Sequence, residues 1–501
     1  TLALPLKKGG KPEDVRYHFA GDLLALSTDT LVKDRSLQAN RLAITASNDR
    51  ITIGGEGRID GVGFDGEWSQ AIGPGSDESR LTAQVALTPA GLEAFGVALP
   101  PGSLRGEGRG RIAVDLKKGE APRFTLQSDL AGLGVSVPQL SWSKAPGTKG
   151  ELRLAGRLGE TPNIDAFQLN APGLRVAGSI DLAPGGALDR VRIDRLRRGD
   201  WLDIPLQLIG QGKGNPVQVV LGGGTLDMRR AEFGGAEGQA GPPMRVALDR
   251  LQITDTIYLT DLSGTFDTAK GMDGAFTARL NGGTPVQGRV LPQAGRSAVR
   301  VVSDDAGGVL RSAGLVKQVV GGNLSLTLLP VGSGGAFDGQ LTVSDVAIQD
   351  APGIAALVNA ISVVGLINEL NGDGIYFDDV EANFRLTPNR LTLTEASAVG
   401  ASLGLSMDGV YALDSGLIDM QGVISPVYMF NGIGSLFTRK GEGLIGFNYR
   451  LTGAAKEPSV SVNPLSALTP GMFRELFRRP PPQPPQVQGQ ANPVARVPEE
   501  R

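Results

Sequence analysis

The chain has 501 residues, among them 72 glycines, 32 prolines, one histidine and no cysteine. Its formal net charge is −3, from 49 basic and 52 acidic residues, so no electrostatic feature favours nucleic-acid binding. The absence of cysteine excludes disulfides and thiolate metal ligands. The chain is longer than one ordinary globular core requires.

Period-two alternation of apolar residues predicts β-strands along most of the chain. Successive strand residues point to opposite faces, so each such segment presents one apolar and one polar face. One-sided strands of this kind are typical of antiparallel sheets. The apolar positions of the clearest segments are Ile112, Val114, Leu116, Leu152, Leu154, Leu158, Leu324, Leu326, Leu328, Leu391 and Leu393.

Glycine and proline clusters interrupt these segments at short intervals and predict tight turns. The sequence therefore predicts a mainly β fold built on a long, twisted, mostly antiparallel sheet, with a few short helices. A flat open sheet of this size is unusual, so we expect the sheet to curl, split or close.

Helical patterns are rare. Thr88 and Pro89 are suited to cap and begin a short helix that extends to Phe95. Apolar residues at three- and four-residue spacing predict a helix over 352–370. That helix either packs on the sheet or plugs its end, lies at an interface, or spans a membrane, for which it is barely long enough.

Two further apolar stretches lie near the C-terminus, at 427–437 and 470–477. Arg478 and Arg479 follow the second stretch, and we expect them either to be solubility charges or to face anionic head groups. The Pro/Gln-rich tail 480–501 is predicted to be disordered. We therefore divide the chain into an elongated β-body (1–345), a C-terminal region (346–479) and the tail.

No group of residues predicts catalysis. His18 lies between Tyr17 and Phe19 and fits a strand surface better than a catalytic base. The acidic pairs Asp304–Asp305 and Asp378–Asp379 lack the spacing of a calcium loop and are interpreted as solvated turns. We expect no enzyme activity, no metal and no cofactor.

Residues 372–477 resemble the C-terminal region of the AsmA-like superfamily, closest to its YhdP-type branch. The resemblance rests on an acidic glycine turn before a strand, a Gly-x-x-x-Gly stretch, a Pro-x-Tyr segment, a Val-Asn-Pro-Leu-Ser segment and a Pro-Gly-x-x-Arg segment. These correspond to 372–374, Gly400 to Gly404, Pro426 with Tyr428, Val462 to Ser466, and Pro470, Gly471 and Arg474. Upstream of 350 the chain is similar only in its glycine-interrupted strands.

The resemblance implies a bridge-like lipid transfer protein of the Gram-negative envelope. Its fold would be a sheet curled into an open, taco-like groove that holds phospholipid acyl chains across the periplasm. An N-terminal inner-membrane anchor, absent from this sequence, would precede the chain. The outer end of the groove would carry the apolar candidates Tyr428, Met429, Phe430, Met472, Phe473, Leu476 and Phe477.

The residue pattern agrees with this implication, because an apolar sheet face must be covered and the chain upstream of 350 offers little helix to cover it. Lipid tails could fill that role without any catalytic group. The alternative is a periplasmic scaffold that docks outer-membrane or periplasmic proteins by strand addition, as in the related TamB branch. A glycan hydrolase with paired carboxylates is a third and disfavoured hypothesis, since no acidic pair stands out.

Overall fold

The protein forms two compact units, Thr1–Ala236 with Pro242–Met244, and Glu237–Gly241 with Arg245–Arg501. A computed structural model describes residues 2–3, 15–32, 35–73, 76–95, 97, 99–159, 161–184, 187–212, 215–231, 241–293, 295–315, 318–332, 335–349, 354–355, 357–358, 374–426, 439–443, 445–455, 457–469 and 478–488.

The first unit consists of strands joined mostly by short turns. They are β1 (Leu2–Ala3), β2 (Arg16–Val32), β3 (Arg35–Ser47), β4 (Arg50–Ile59), β5 (Val62–Ala71), β6 (Glu78–Leu87), β7 (Leu104–Gly106), β8 (Gly108–Lys117), β9 (Arg123–Ser128), β10 (Leu133–Val137), β11 (Trp142–Lys144), β12 (Glu151–Arg157), β13 (Asn163–Ala171), β14 (Leu174–Leu182), β15 (Leu188–Arg198), β16 (Leu202–Ile209), β17 (Gln218–Gly222) and β18 (Thr225–Asp227).

The main sheet of this unit is an antiparallel meander. Each strand from β2 to β17 pairs with the next one in the chain, except that β8 follows β6 and β12 follows β9, and β18 pairs with β16 beside β17. The omitted strands β7, β10 and β11 form a separate three-stranded antiparallel sheet. Helix α1 (Pro89–Ala94) precedes β7.

The second unit continues the same construction. Its strands are β19 (Met244–Gln252), β20 (Tyr258–Asp267), β21 (Asp273–Leu280), β22 (Thr284–Gln293), β23 (Arg296–Ser303), β24 (Val319–Val331), β25 (Ala336–Ile348), β26 (Ile375–Thr387), β27 (Arg390–Val399), β28 (Leu403–Ala412), β29 (Leu417–Pro426), β30 (Phe447–Ala454) and β31 (Ser459–Asn463). From β20 to β31 every strand pairs antiparallel with its successor. Helix α2 (Ala306–Ser312) lies between β23 and β24, and a 3-10 turn (Pro464–Leu468) follows β31.

The predicted fold class, mainly β and mostly antiparallel with few helices, is confirmed. The predicted short helix after Thr88 is present as α1: the Thr88 hydroxyl accepts a hydrogen bond from the Gly91 amide at 3.0 Å, and proline occupies the first turn. The sequence analysis missed α2, because Asp304–Asp305 was interpreted as a solvated turn. Asp305 is instead the cap of α2 and accepts from the Gly308 amide at 2.7 Å.

The predicted boundary at residue 345 lies within β25, which pairs on both sides, whereas the two units divide near residue 240. Of the predicted helix 352–370, only residues 354–355 and 357–358 are described, and these are helical. Its remaining residues lie outside the described part of the chain. No helix among the described residues has the length and apolar character needed to cross a bilayer.

Candidate functional site

Most of the predicted apolar strand positions lie on one face of each sheet, opposite a polar face. In β8, Val114 is 8% exposed, whereas Arg111 and Asp115, which point to the other face, are exposed. Directly opposed residues of antiparallel strands point to the same face. The strand register therefore shows how these positions combine across the sheet.

In the first unit the register aligns apolar residues from strand to strand into rows that run across the sheet. We define the first row as one residue from each paired strand from β2 to β17, with no polar side chain. Its members are Gly21, Ile44, Ile53, Trp68, Leu81, Val114, Phe124, Gly156, Ile164, Ile180, Val191, Leu208 and Val219. At roughly 4.8 Å per strand this row crosses on the order of 60 Å.

A second row lies beside the first and also lacks polar side chains. Its members are Gly55, Gly66, Ala83, Ile112, Leu126, Leu154, Phe167, Gly178, Ile193, Leu206 and Leu221. Ile112 and Leu154, two predicted residues far apart in sequence, both belong to this row because each lies directly opposite Leu126. Most members are half-buried, so they have apolar neighbours within the sheet but keep an accessible side.

The opposite face of this sheet is charged and solvated. It carries exposed ion pairs, which are Arg80–Asp115, Arg157–Asp165, Arg192–Asp181 and Arg195–Asp203, at N–O distances of 3.4, 2.9, 3.4 and 2.6 Å. Exposed pairs of this kind contribute about 0–1 kcal/mol each, so their main effect is to keep this face in water. The two faces of the sheet therefore differ sharply in polarity.

The three-stranded sheet covers one end of the apolar face. Leu133 of β10 is 2% exposed and forms a core with Leu87 and Leu130, against which Leu126 and Leu152 pack. Lys144 of β11 is also buried, and its ammonium donates to the Leu133 and Ala145 carbonyls at 2.7 and 3.1 Å. Burial lowers the pKa of Lys144. Leu152 thus packs against other residues of the chain, whereas no member of the first row belongs to this core.

The second unit has two long apolar rows of the same kind, from β20 to β31. Row A consists of Gly264, Phe276, Gly288, Val301, Leu326, Leu341, Ala382, Ala396, Met407, Gly422, Tyr449 and Val462. Row B consists of Phe266, Gly274, Val290, Val299, Leu328, Gly339, Phe384, Leu393, Gly409, Met420, Leu451 and Val460. Neither row contains a charged side chain.

The remaining predicted residues fall beside these rows, with one exception. Leu116 lies opposite Ser79, Leu324 opposite Val343, and Leu391 opposite Leu386 and Tyr411. Leu158 differs, since it follows the end of β12 and is 41% exposed. The terminal candidates Tyr428, Met429, Phe430, Met472, Phe473, Leu476 and Phe477 lie outside the described residues.

The sequence analysis did not predict that bulky side chains pack close to the glycines of the rows. In rows A and B, a Phe, Tyr or Met side-chain atom lies within 3.1 Å of where a Cβ would stand on each glycine, and at Gly288 and Gly339 the three nearest atoms all belong to one ring. These side chains are Phe266 for Gly264 and Gly274, Phe276 for Gly288, Phe384 for Gly339, Met420 for Gly409 and Tyr449 for Gly422. In the first unit Phe124 packs close to Gly156, and Phe64 packs close to Gly57. Glycine within an apolar strand pattern was the available signal, because it often marks a close approach.

On the polar face of the second unit, residues 478–488 cross several strands without regular secondary structure. We call them the C-terminal strap. The Gln421 amide of β29 donates to the Arg479 carbonyl at 2.7 Å, and the Arg385 guanidinium of β26 donates to the Pro485 carbonyl at 3.0 Å. Gln488 lies against Gly332 at the end of β24. This part of the tail predicted to be disordered therefore packs on the sheet; residues 489–501 lie outside the described residues.

Two arginines anchor the strap. Arg478, with a side chain 4% exposed, pairs with the buried Glu442 at 2.7 Å and lies 3.7 Å from Asp408. Arg479 is largely exposed and pairs with Asp419 at 2.9 Å. Arg479 and Arg450 lower the pKa of Asp419 to about 2. Both arginines thus have carboxylate partners. The structure therefore differs from the expectation that they face only solvent or lipid head groups.

The chemistry available on these surfaces is that of apolar contact. The sole histidine, His18, is exposed on β2, and among the described residues no three His, Asp or Glu side chains are placed to hold a metal ion. Asp378 and Asp379, interpreted from the sequence as a turn, instead lie within β26, where Asp379 pairs with Lys440. Comparison of the chain with protein-family models, with characterised proteins and with solved structures finds no match in any of the three.

Proposed function

We propose that the chain carries phospholipids between the inner and outer membranes of a Gram-negative envelope, with the acyl chains lying on its apolar sheet faces. The observation that carries the proposal is the continuity of the apolar rows. In each unit, successive strands place apolar residues, aromatic residues or glycines opposite one another without a charged side chain in the row.

This arrangement supports movement along the surface as well as binding. Each methylene group kept out of water is worth about 0.8 kcal/mol, so a hydrocarbon chain is held wherever apolar surface is available. A chain that leaves one strand meets equivalent surface on the next, so its free energy changes little along the row. The head group would remain in water, and no bond would be made or broken.

The resemblance of residues 372–477 to the AsmA-like superfamily supports the same proposal and supplies the envelope location. In that setting the strands described above would lie in the periplasm. The protein would act without catalytic residues, cofactors or metals.

Photo-crosslinking from single positions tests the proposal. A benzophenone amino acid at Ile112, Leu154 or Leu326 should capture phospholipid in cells, because these side chains lie in the apolar rows. The matched controls are Arg111, Arg153 and Ser325, which are their sequence neighbours on the other face. Capture from the control positions alone would invert the assignment of faces, and capture from neither set would refute the proposal.

The alternative function, a scaffold that docks outer-membrane or periplasmic proteins by strand addition, has one observation in its favour. Among the described residues, β1 pairs with β2 only at Arg16 and Tyr17, so most of the long outer edge of β2 has no described partner strand. An added strand would use backbone groups at that edge rather than the apolar rows. A pulldown rich in barrel proteins with no co-purifying lipid would favour this function.

A further inference from the structure

Four positions on the polar face of the first unit form a patch of three arginines and one alanine. Arg175 of β14 lies directly opposite Arg197 of β15, and Ala177 lies directly opposite Arg195. Directly opposed residues of antiparallel strands point to the same face, and so do residues two apart in one strand. The three guanidinium groups therefore extend from one side of the sheet, beside a position whose side chain is a single methyl group.

A hollow with a volume of about 200 Å³ lies at this patch. Its polar lining consists of the three arginines together with Gln168 and Asn170 of β13, which lie opposite Ala177 and Arg175. Among the described residues that line the hollow, none is acidic. The hollow is smaller than the volume of about 300–1,000 Å³ that is typical of sites for drug-sized ligands, so it suits one small polar group.

The charges of the patch are only partly compensated. Arg195 holds the Asp203 carboxylate through two hydrogen bonds of 2.9 and 2.6 Å. These bonds lower the pKa of Asp203, so its carboxylate is ionised and bound at neutral pH. Arg197 lies directly opposite Asp203, but its Nε donates to the Gly199 carbonyl at 3.3 Å. Within the described part of the chain, neither Arg197 nor Arg175 forms an ion pair with a carboxylate.

Like charges that lie directly opposite each other destabilise a sheet. Two other arginine pairs of the chain are directly opposed, Arg123 with Arg157 and Arg289 with Arg300. In each of these pairs one member has a carboxylate partner, at an N–O distance of 2.9 Å in the first pair and 3.5 Å in the second. The pair at the hollow differs, because both of its guanidinium groups lack such a partner among the described residues and both line the same open space.

We propose that this hollow binds the phosphate group of a phosphate monoester, held between Arg175 and Arg197. Guanidinium groups bind phosphate oxygens through paired hydrogen bonds, and the side-chain amides of Gln168 and Asn170 supply further donors. A phosphate monoester carries a charge of about −1.5 to −2 at pH 7, which matches the two arginines without a carboxylate. The site lies on the face opposite the apolar rows, so the inference goes beyond the proposed function and does not depend on it.

Two probes distinguish the possible sources of the phosphate group. Calorimetric titration of the full chain with glycerol 3-phosphate measures binding of a soluble monoester, and dimethyl phosphate, a diester with a single charge, should bind more weakly. Sedimentation with phosphatidylcholine vesicles, with and without phosphatidic acid, measures binding of a monoester on a membrane surface. Binding of glycerol 3-phosphate supports the site with a soluble ligand, and binding to the phosphatidic acid vesicles alone supports it with a lipid head group.

Variants of the two arginines test whether the hollow is the binding site. Arg175→Gln and Arg197→Gln should each weaken binding about 10-fold, because each removes one charge-assisted contact. The matched control is Arg111→Gln, which removes the same charge from an exposed position of the polar face outside the hollow and should bind as the wild type does. The bound probe should raise the Tm of the wild type but not that of the double variant Arg175→Gln/Arg197→Gln.

A readout on the wild-type protein completes the test. Phenylglyoxal modifies arginine side chains, and the probe that binds should slow the labelling of Arg175 and Arg197 but not that of Arg111. A chain that binds neither glycerol 3-phosphate nor phosphatidic acid vesicles would overturn the inference. Affinity that falls equally in the Arg111→Gln control, or labelling of Arg175 and Arg197 that the bound probe leaves unchanged, would overturn it as well.

Discussion

The two arginines that anchor the C-terminal strap offer a sharp test of the packing, because they are adjacent in sequence but differ in burial. Arg478→Met removes the cation that pairs with Glu442 at 2.7 Å, and both side chains are 4% exposed. Loss of one partner of a buried ion pair costs about 3–5 kcal/mol. That corresponds to a change of roughly 10²- to 4 × 10³-fold in the ratio of detached to docked strap. Arg479→Met removes an exposed pair and should cost no more than about 1 kcal/mol.

The absence of cysteine makes a direct assay straightforward. A nitroxide label at Gln486→Cys, an exposed strap position, reports local mobility by electron paramagnetic resonance. We expect the label to become mobile in the Arg478→Met background and to stay restrained in the Arg479→Met background. Equal mobility in the two backgrounds would refute the assignment of the buried Arg478 pair as the main anchor of the strap.

Two further predictions concern stability and pH. Leu133→Ala should destabilise the three-stranded sheet by about 3–5 kcal/mol, because Leu133 is 2% exposed in its core. The measurement is amide hydrogen exchange in β10, which should become faster. The control Leu158→Ala, at an exposed position, should leave the exchange rate almost unchanged. The pKa of Asp419 is lowered to about 2 by Arg479 and Arg450, so its ion pairs stabilise the fold above about pH 4 and are lost as pH falls through 2. An NMR titration of the Asp419 carboxyl group with a midpoint near 4 would contradict this prediction. The variant Asp419→Asn should abolish the change in stability over that pH range.

The strands could be predicted from the sequence because each is a local pattern. Alternation in segments such as 112–116 and 324–328 depends only on which residues face the same side of one strand. The short helix after Thr88 was equally local, since its cap and its proline are adjacent. These features follow from propensity and period, and the structure agrees with them.

The register and the contacts between distant segments could not be predicted in the same way. Ile112 and Leu154 belong to one row only because turns and bulges fix how three strands align. The strap was missed because proline-rich composition predicts disorder, whereas its anchors pair with carboxylates at least 36 residues away in sequence. The division near residue 240 does coincide with a stretch rich in glycine and proline, 234–243, which was an available signal.

The packing of phenylalanine rings against glycines was missed for a related reason. A phenylalanine and a glycine in different strands carry no joint signal until the register is known. The closeness of the Phe276 ring to Gly288 and of the Phe384 ring to Gly339 is therefore visible only once the strands are aligned.

Native mass spectrometry of the purified chain tests the lipid-carrying role most directly. The account predicts that the chain retains phospholipid, that Leu154→Glu and Leu326→Glu reduce the retained amount, and that Arg153→Glu on the opposite face does not. A chain that is recovered without lipid, or whose lipid content is insensitive to charges placed in the apolar rows, would contradict it.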